Sequence, residues 1–131
     1  MNEILLDTDV VSYLLNRHQL ASAYEKLLID RTPMISFMTI AEMYRGALKK
    51  NWGERRVAEL DSHLQQFAIV PFSLQVCKAF AHICNSAERK GKRIDTADAL
   101  IAACAVSLQI PLLTNNKRHF EGIEELIVIS A

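Results

Sequence analysis

No apolar run in this chain approaches the roughly 20 residues that a helix needs to cross a bilayer, so no membrane span is expected. The opening Met1-Asn2-Glu3, followed by three apolar residues, is too short for a secretory leader and has no basic lead. The expectation is a cytoplasmic protein. Cysteine is scarce, and its three residues leave one unpaired under any scheme. Cys77 and Cys84 are seven positions apart in a helical stretch, on one face but about 10 Å apart along the axis, too far for a disulfide. No histidines accompany them at zinc-ligand spacing. With Cys104 they are expected to be small buried apolar side chains. Repeats, low-complexity tracts and internal linkers are also missing. Half of the 131 residues are apolar, which excludes a disordered chain and suits one domain, 1–131, with one substantial core.

What is there is a series of short apolar runs alternating with helical patterns. Ile4-Leu5-Leu6, Met34 to Phe37, Ala68-Ile69-Val70, Pro111 to Thr114 and Leu126 to Ile129 read as strands. Between them, helices are predicted over Val10–Asn16, Leu20–Ile29, a stretch opened by Thr39, Glu54–Gln66, a long helix capped by Ser73, and a last one capped by Asp95 or Thr96. Ile40, Met43, Tyr44, Ala47 and Leu48 have the spacing of a core-facing stripe. Gly91 suits the C-terminal cap of the long helix, and Ala99–Leu108 is apolar nearly all round, hence central and buried. This alternation predicts an α/β fold with a short central parallel sheet and helices on both faces. Ligands bind such folds outside the carboxyl ends of the strands.

Acidic residues stand where that rim should be: Asp7 and Asp9 after the first strand, Glu42 near the start of the third helix, Asp95 and Asp98 at the start of the last. Each has a structural alternative except one. Thr39-x-x-Glu42 reads as a capping box, Asp95-x-x-Asp98 reads similarly, and Asp9 suits the cap of the helix starting at Val10. Asp7 has no such role in this reading. Asn115-Asn116 serves equally well as a turn or as a polar arm of the site, and His119 is expected to pack or hydrogen-bond beside Phe120 rather than act as a base. Taken together, the acids pose a charge problem. Two carboxylates about 4 Å apart repel by roughly 4 kcal/mol at an effective dielectric of 20, against a total stability of about 5–15 kcal/mol. Oxygen donors without histidine or cysteine suit Mg²⁺ or Mn²⁺, and Mg²⁺ commonly meets phosphate substrates.

Net charge is zero, 15 basic against 15 acidic, yet setting aside the five suspected site acids leaves 15 against 10. The basic residues cluster at Arg45, Lys49, Lys50, Arg55 and Arg56, at Arg89, Lys90, Lys92 and Arg93, and at Lys117 and Arg118. Each cluster alone is an ordinary solvated helix end. With the acids neutralised by a cation the field becomes positive, so zero net charge does not exclude RNA.

Leu5-Leu6-Asp7-Thr8-Asp9-Val10, Ser36 to Gly46, Asp98 to Ala103 and Leu113 to Phe120 together resemble the PIN-domain ribonucleases, and within them the VapC toxins of toxin–antitoxin pairs. The resemblance runs nearly end to end. It implies a PIN-like fold, a Mg²⁺- or Mn²⁺-dependent endoribonuclease acting on structured RNA such as tRNA, a cognate antitoxin and a homodimer. Asp7, Glu42 and Asp98 match the metal-binding acids, and Asn116 falls at a fourth catalytic position. Asp9 departs from the usual Asn and implies a supporting hydrogen-bond role, Asp95 lies outside the usual set, and Thr8 and Thr114 are polar supports. Lys117, Arg118 or the basic helix ends would position the RNA backbone. Two other readings start from the same residues. In a haloacid-dehalogenase-type phosphatase Asp7 would be the nucleophile, but the length leaves little room for the remaining motifs. A non-catalytic receiver-like domain would need an Asp after a central strand, and Val70-Pro71-Phe72 supplies none.

Overall fold

The strand β1 (Glu3–Leu6) sits at the centre of the sheet because both of its faces are apolar. Leu5 packs on one side, Ile4 and Leu6 on the other, and all three are fully buried. The computed structural model describes residues 2–131. In it β1 pairs with β2 (Thr32–Ser36) and β4 (Leu112–Leu113), while β3 (Ala68–Val70) and β5 (Val128–Ile129) form the edges. The order is β3-β2-β1-β4-β5 and every pairing is parallel. Parallel neighbours require crossovers, which the helices supply: α1 (Thr8–Asn16), α2 (Ala21–Leu27), α3 (Phe37–Lys49), α4 (Glu54–Leu64), α5 (Leu74–Arg89) and α6 (Thr96–Leu108).

The period-two alternation of the strands divides the interior into two cores. On the Ile4 and Leu6 side lie Val10 and Val11 of α1, Tyr24 of α2, Met43 and Ala47 of α3, and Leu60 and Leu64 of α4. On the Leu5 side lie Val76 and Ile83 of α5, most of α6 and Phe120. As its composition predicts, α6 is buried nearly all round, from Ala99 to Ala105. Among the described residues no helix is long and apolar enough to cross a membrane.

The boundaries correct several expectations. Phe37 belongs to α3, not to the strand before it, and the helix is capped by Ser36, whose Oγ accepts the Thr39 N–H at 3.1 Å. Thr39 therefore lies inside the helix, the proposed Thr39–Glu42 capping box does not form, and Glu42 is left free for other partners. The apolar run Met34 to Phe37 hides this boundary, since a buried strand and a buried first helical turn look alike by periodicity. The inward stripe of α3 is also narrower than predicted. Thr39, Met43 and Ala47 are buried, whereas Leu48 is 79% exposed and Tyr44 points outward to donate a hydrogen bond to the Asp61 carboxylate. Of the cysteines, only Cys104 is fully buried; Cys77 and Cys84 on α5 are half-buried, and all three are free thiols. Ser73 caps α5 as predicted, and Gly91, with φ +67°, follows its C-terminus in the left-handed conformation that favours glycine.

Replacing Ser36 by Ala removes the only side-chain cap of α3 in a fully buried setting. The expected loss is about 1–2 kcal/mol of unfolding free energy, measured as a lower denaturation midpoint with an unchanged m-value.

Candidate active site

Asp7 follows β1 directly, where the chain turns into α1. Its N–H still donates to the Leu113 carbonyl at 2.9 Å, and its own carbonyl accepts Val10 N–H and Val11 N–H at 3.1 and 3.2 Å. Asp7 is thus the N-cap residue of α1, a role expected of Asp9. The assumption that Asp7 has no structural role is corrected: its Oδ1 accepts the Thr8 N–H at 2.8 Å and its Oδ2 accepts the Thr114 hydroxyl at 2.7 Å. Only 6% of the residue is exposed.

Thr8, one residue on, turns its hydroxyl to the next acid. It donates to Glu42 Oε1 at 2.7 Å and lies 2.9 Å from Thr39 Oγ1, which in turn lies 3.4 Å from Ser36 Oγ. A chain of hydroxyls, Ser36–Thr39–Thr8, therefore ends on the Glu42 carboxylate. Glu42 stands in the second turn of α3, above the carboxyl end of β2.

The third acid comes from α6. Asp95 occupies its N-cap position without any side-chain capping bond, so the expected Asp95–Asp98 capping pattern is absent. Asp98, in the first turn, has its Oδ2 3.2 Å from His119 Nδ1, with 18% of its side chain exposed. His119 belongs to a short 3₁₀ turn, Lys117–Phe120, anchored by the buried Phe120.

Asp9 and the two asparagines form a fourth group. Asp9 Oδ1 accepts Val10 N–H at 2.7 Å, and its Oδ2 accepts Asn115 N–H at 3.0 Å and the Asn116 side-chain amide at 3.2 Å. The backbone N–H of Asn116 donates to Thr114 Oγ1 at 3.0 Å. The Asn115 side chain is held by the hydroxyls of Tyr24 and Tyr13, at 3.0 and 3.2 Å. Sequence reasoning placed Asp7, Glu42, Asp98 and Asn116 on one rim and named Thr8 and Thr114 as supports. In the sequence Thr39 reads as a cap and Tyr24 as part of an apolar helix face, while Tyr13 carries no assigned role. Their hydroxyl contacts span 31, 91 and 102 residues of sequence, and no local pattern announces them.

Electrostatics joins these groups into one field. Burial pushes Asp7 above the usual carboxylate range, against the hydrogen bonds from Thr114 and Thr8 and the nearby His119. Asp9 is pushed up to about 6, first by burial and then by the charge of Asp7. Asp98 is likewise pushed up to about 6 by burial and by Asp7; His119 opposes the rise, and Asp95 and Glu42 add to it. Among the described residues no three His, Cys, Asp or Glu side chains are gathered closely enough to hold a metal ion as they stand. The donor chemistry does fit a hard divalent cation. The donors are all oxygens, and mutual repulsion that favours protons on these carboxylates also favours a cation among them.

The raised acids penalise the folded state once ionised. The unfolded chain titrates near 3.8 and folded Asp98 near 6, so between those values the native state holds more protons and stability falls as pH rises. In metal-free buffer, Asp98→Asn is expected to melt higher than the parent at pH 7, by about 1–2 kcal/mol or several degrees. The difference should shrink as pH drops from about 6 to about 4. Thermal melts across that range check it; a variant that melts much lower at pH 7 would make Asp98 a stabilising residue.

The model of the PIN domain family matches residues 4–126 of the chain. A Ribonuclease VapC2 from Rickettsia felis is 31% identical, with 95% of this chain and 94% of the relative covered. A tRNA(fMet)-specific endonuclease VapC from Shigella flexneri is 26% identical over 94% of this chain and 93% of its own length. Among solved structures, the VapBC2 of Rickettsia felis, bound to a DNA fragment from its promoter, superposes with a TM-score of 0.88 at 29% identity, covering 98% of both chains. An all-parallel five-stranded sheet, acids at its carboxyl rim and these end-to-end similarities converge: the chain belongs to the PIN-domain family, among its VapC ribonucleases.

Proposed function

We propose that residues 1–131 act as one PIN domain, a divalent-metal-dependent endoribonuclease toxin that hydrolyses phosphodiester bonds in structured RNA such as tRNA and is held in check by a VapB-like antitoxin. The observation that carries this reading is the shared field of Asp7, Glu42 and Asp98, delivered by three separate elements to one rim. The ribonuclease names of the relatives and the tRNA(fMet) specificity of one of them support the substrate class. The two-component VapBC assembly of the structural neighbour supports the antitoxin. A homodimer is part of the same proposal.

In this reading Asp7, Glu42 and Asp98 hold Mg²⁺, with Mn²⁺ able to substitute, and Asn116 completes the catalytic set. A bound cation supplies Lewis acidity at the scissile phosphate and acidifies the attacking water. The chain's own residues do the rest. Thr114 and the Thr8 N–H orient the Asp7 carboxylate, the Thr8 hydroxyl orients Glu42, and His119 orients Asp98. Asp9 fixes the Asn116 amide at the rim, and Lys117 and Arg118 beside it meet the RNA backbone.

Asp7→Asn and Asp98→Asn are expected to abolish Mg²⁺- or Mn²⁺-dependent RNA cleavage while remaining folded, and Mg²⁺ should raise the melting temperature of the parent but not of these variants. Thr8→Val and Thr114→Val, which remove orienting bonds only, should cost about 10–100-fold in metal affinity or activity. Expression of the chain with and without its genomic neighbour, followed by mapping of the 5′ ends of cleaved cellular RNA, tests activity, target and antitoxin together. Undiminished cleavage by both Asn variants would overturn the site assignment.

A further inference from the structure

At His119, the residue that contacts Asp98, the surface opens into a cleft of about 300 Å³ between α5, the α5–α6 connection, the 3₁₀ turn and the segment that follows it. His119 belongs to both places: its ring lines the cleft while its Nδ1 holds Asp98. Two links build the outer wall. Lys90 Nζ donates to the Gly122 carbonyl at 2.8 Å and pairs with Glu124 at 3.4 Å, and His82 pairs with Glu125 at 3.3 Å. Inside, Ile83, Ile94 and Ile123 give the cleft an apolar floor.

The charge left in the cleft is positive. Glu124 is paired with Lys90, and Glu125 lies against His82, an ion pair only when that imidazole is protonated. Lys92, Arg93 and Arg118 have no carboxylate partner within 4.0 Å among the described residues, so three cations stand against Glu121 and Glu125. Lys92 is also deliberately accommodated. Its Nζ lies 3.0 Å from where a side chain at Gly122 would begin, and Gly122 has φ +87°, so glycine provides both the turn and the room. An apolar floor, a rim of cations and a shared wall residue, His119, that also contacts a site acid match a nucleotide: a base on the floor, a phosphate at the cations. At about 300 Å³ the recess is small, which favours a single unpaired unit over a base pair.

We infer that this cleft is an RNA subsite that receives one unpaired nucleotide next to the scissile phosphate, with Lys92, Arg93 and Arg118 on its phosphate; this rests on the ribonuclease function proposed above. The three cations are positioning residues and take no part in bond cleavage. Because His119 both lines the cleft and contacts Asp98, the RNA strand crosses the acid rim from the α6 side.

The test uses two variants that disturb the cleft differently: the triple Lys92→Gln, Arg93→Gln, Arg118→Gln, which keeps side-chain length, and Ser86→Trp, which fills the recess from α5 and leaves the cations in place. Binding of bulk tRNA is measured as a function of salt in an Asp98→Asn background, and cleavage is followed separately in the active chain. The triple variant should bind at least about 10-fold more weakly, with a log–log salt slope shallower by about 2–3. Ser86→Trp should weaken binding with the slope unchanged, and both should raise KM far more than they lower kcat. A fully paired RNA duplex should be affected little by Ser86→Trp. If the parent binds and cleaves RNA but both variants match it in KM and slope, the subsite is refuted while the ribonuclease reading stands. Loss of antitoxin affinity with unchanged RNA binding would instead assign the cleft to the protein partner. A parent that neither binds nor cleaves RNA would refute the function itself.

Discussion

The hydrogen bond from Thr114 to the buried Asp7 carboxylate is the contact on which the site turns. It closes a gap of 107 residues, joins the ends of the two adjacent central strands, and keeps an ionisable group satisfied where only 6% of its residue reaches solvent. An unpaired buried carboxylate is costly, and a paired one still prefers its proton when like charges surround it. Burial is the first cause of the raised proton affinity of Asp7, Asp9 and Asp98, and the charge of Asp7 adds to it at Asp9 and Asp98. Structure and chemistry pull against each other here. The packing that makes β1 central forces its first post-strand residue into the interior, and that residue is an acid.

The supports around the acids are hydroxyls and amides, with one imidazole. Thr8, Thr39 and Ser36 lead to Glu42, Thr114 to Asp7, and the Asn115–Asn116 turn to Asp9. Neutral donors orient a carboxylate without cancelling its charge, whereas a lysine or arginine in the same place would form an ion pair and quench the field. Of the groups that support the site acids, only His119 is a potential cation, and it also lines the basic cleft.

Much of this was legible in the residues. Short apolar runs alternating with helical patterns led to a parallel sheet with helices on both faces, and the all-round apolar Ala99–Leu108 segment led to a central helix. The acids were found because each follows or flanks an element end. What failed were the details that depend on tertiary contacts. Phe37 reads as strand because a buried helical start has no distinguishing period, and Tyr44 and Leu48 read as core because a stripe's width depends on how closely its neighbours pack. Asp7 reads as lacking a structural role because the sequence pattern starts the helix at Val10 with Asp9 as its cap, whereas the helix starts at Thr8, and because its other support, Thr114, is 107 residues away.

The strand order carries one further consequence. β1 is made first, yet its neighbour β4 and the turn that satisfies Asp7 and Asp9 come after residue 111. A nascent chain emerging from the ribosome thus exposes its first acids long before the residues that orient them exist. The acid rim is assembled only when β4 inserts beside β1, so the site cannot be completed before Thr114 and Asn115 have been made, and a chain truncated before Thr114 would keep Asp7, Glu42 and Asp98 but lose the arrangement that relates them.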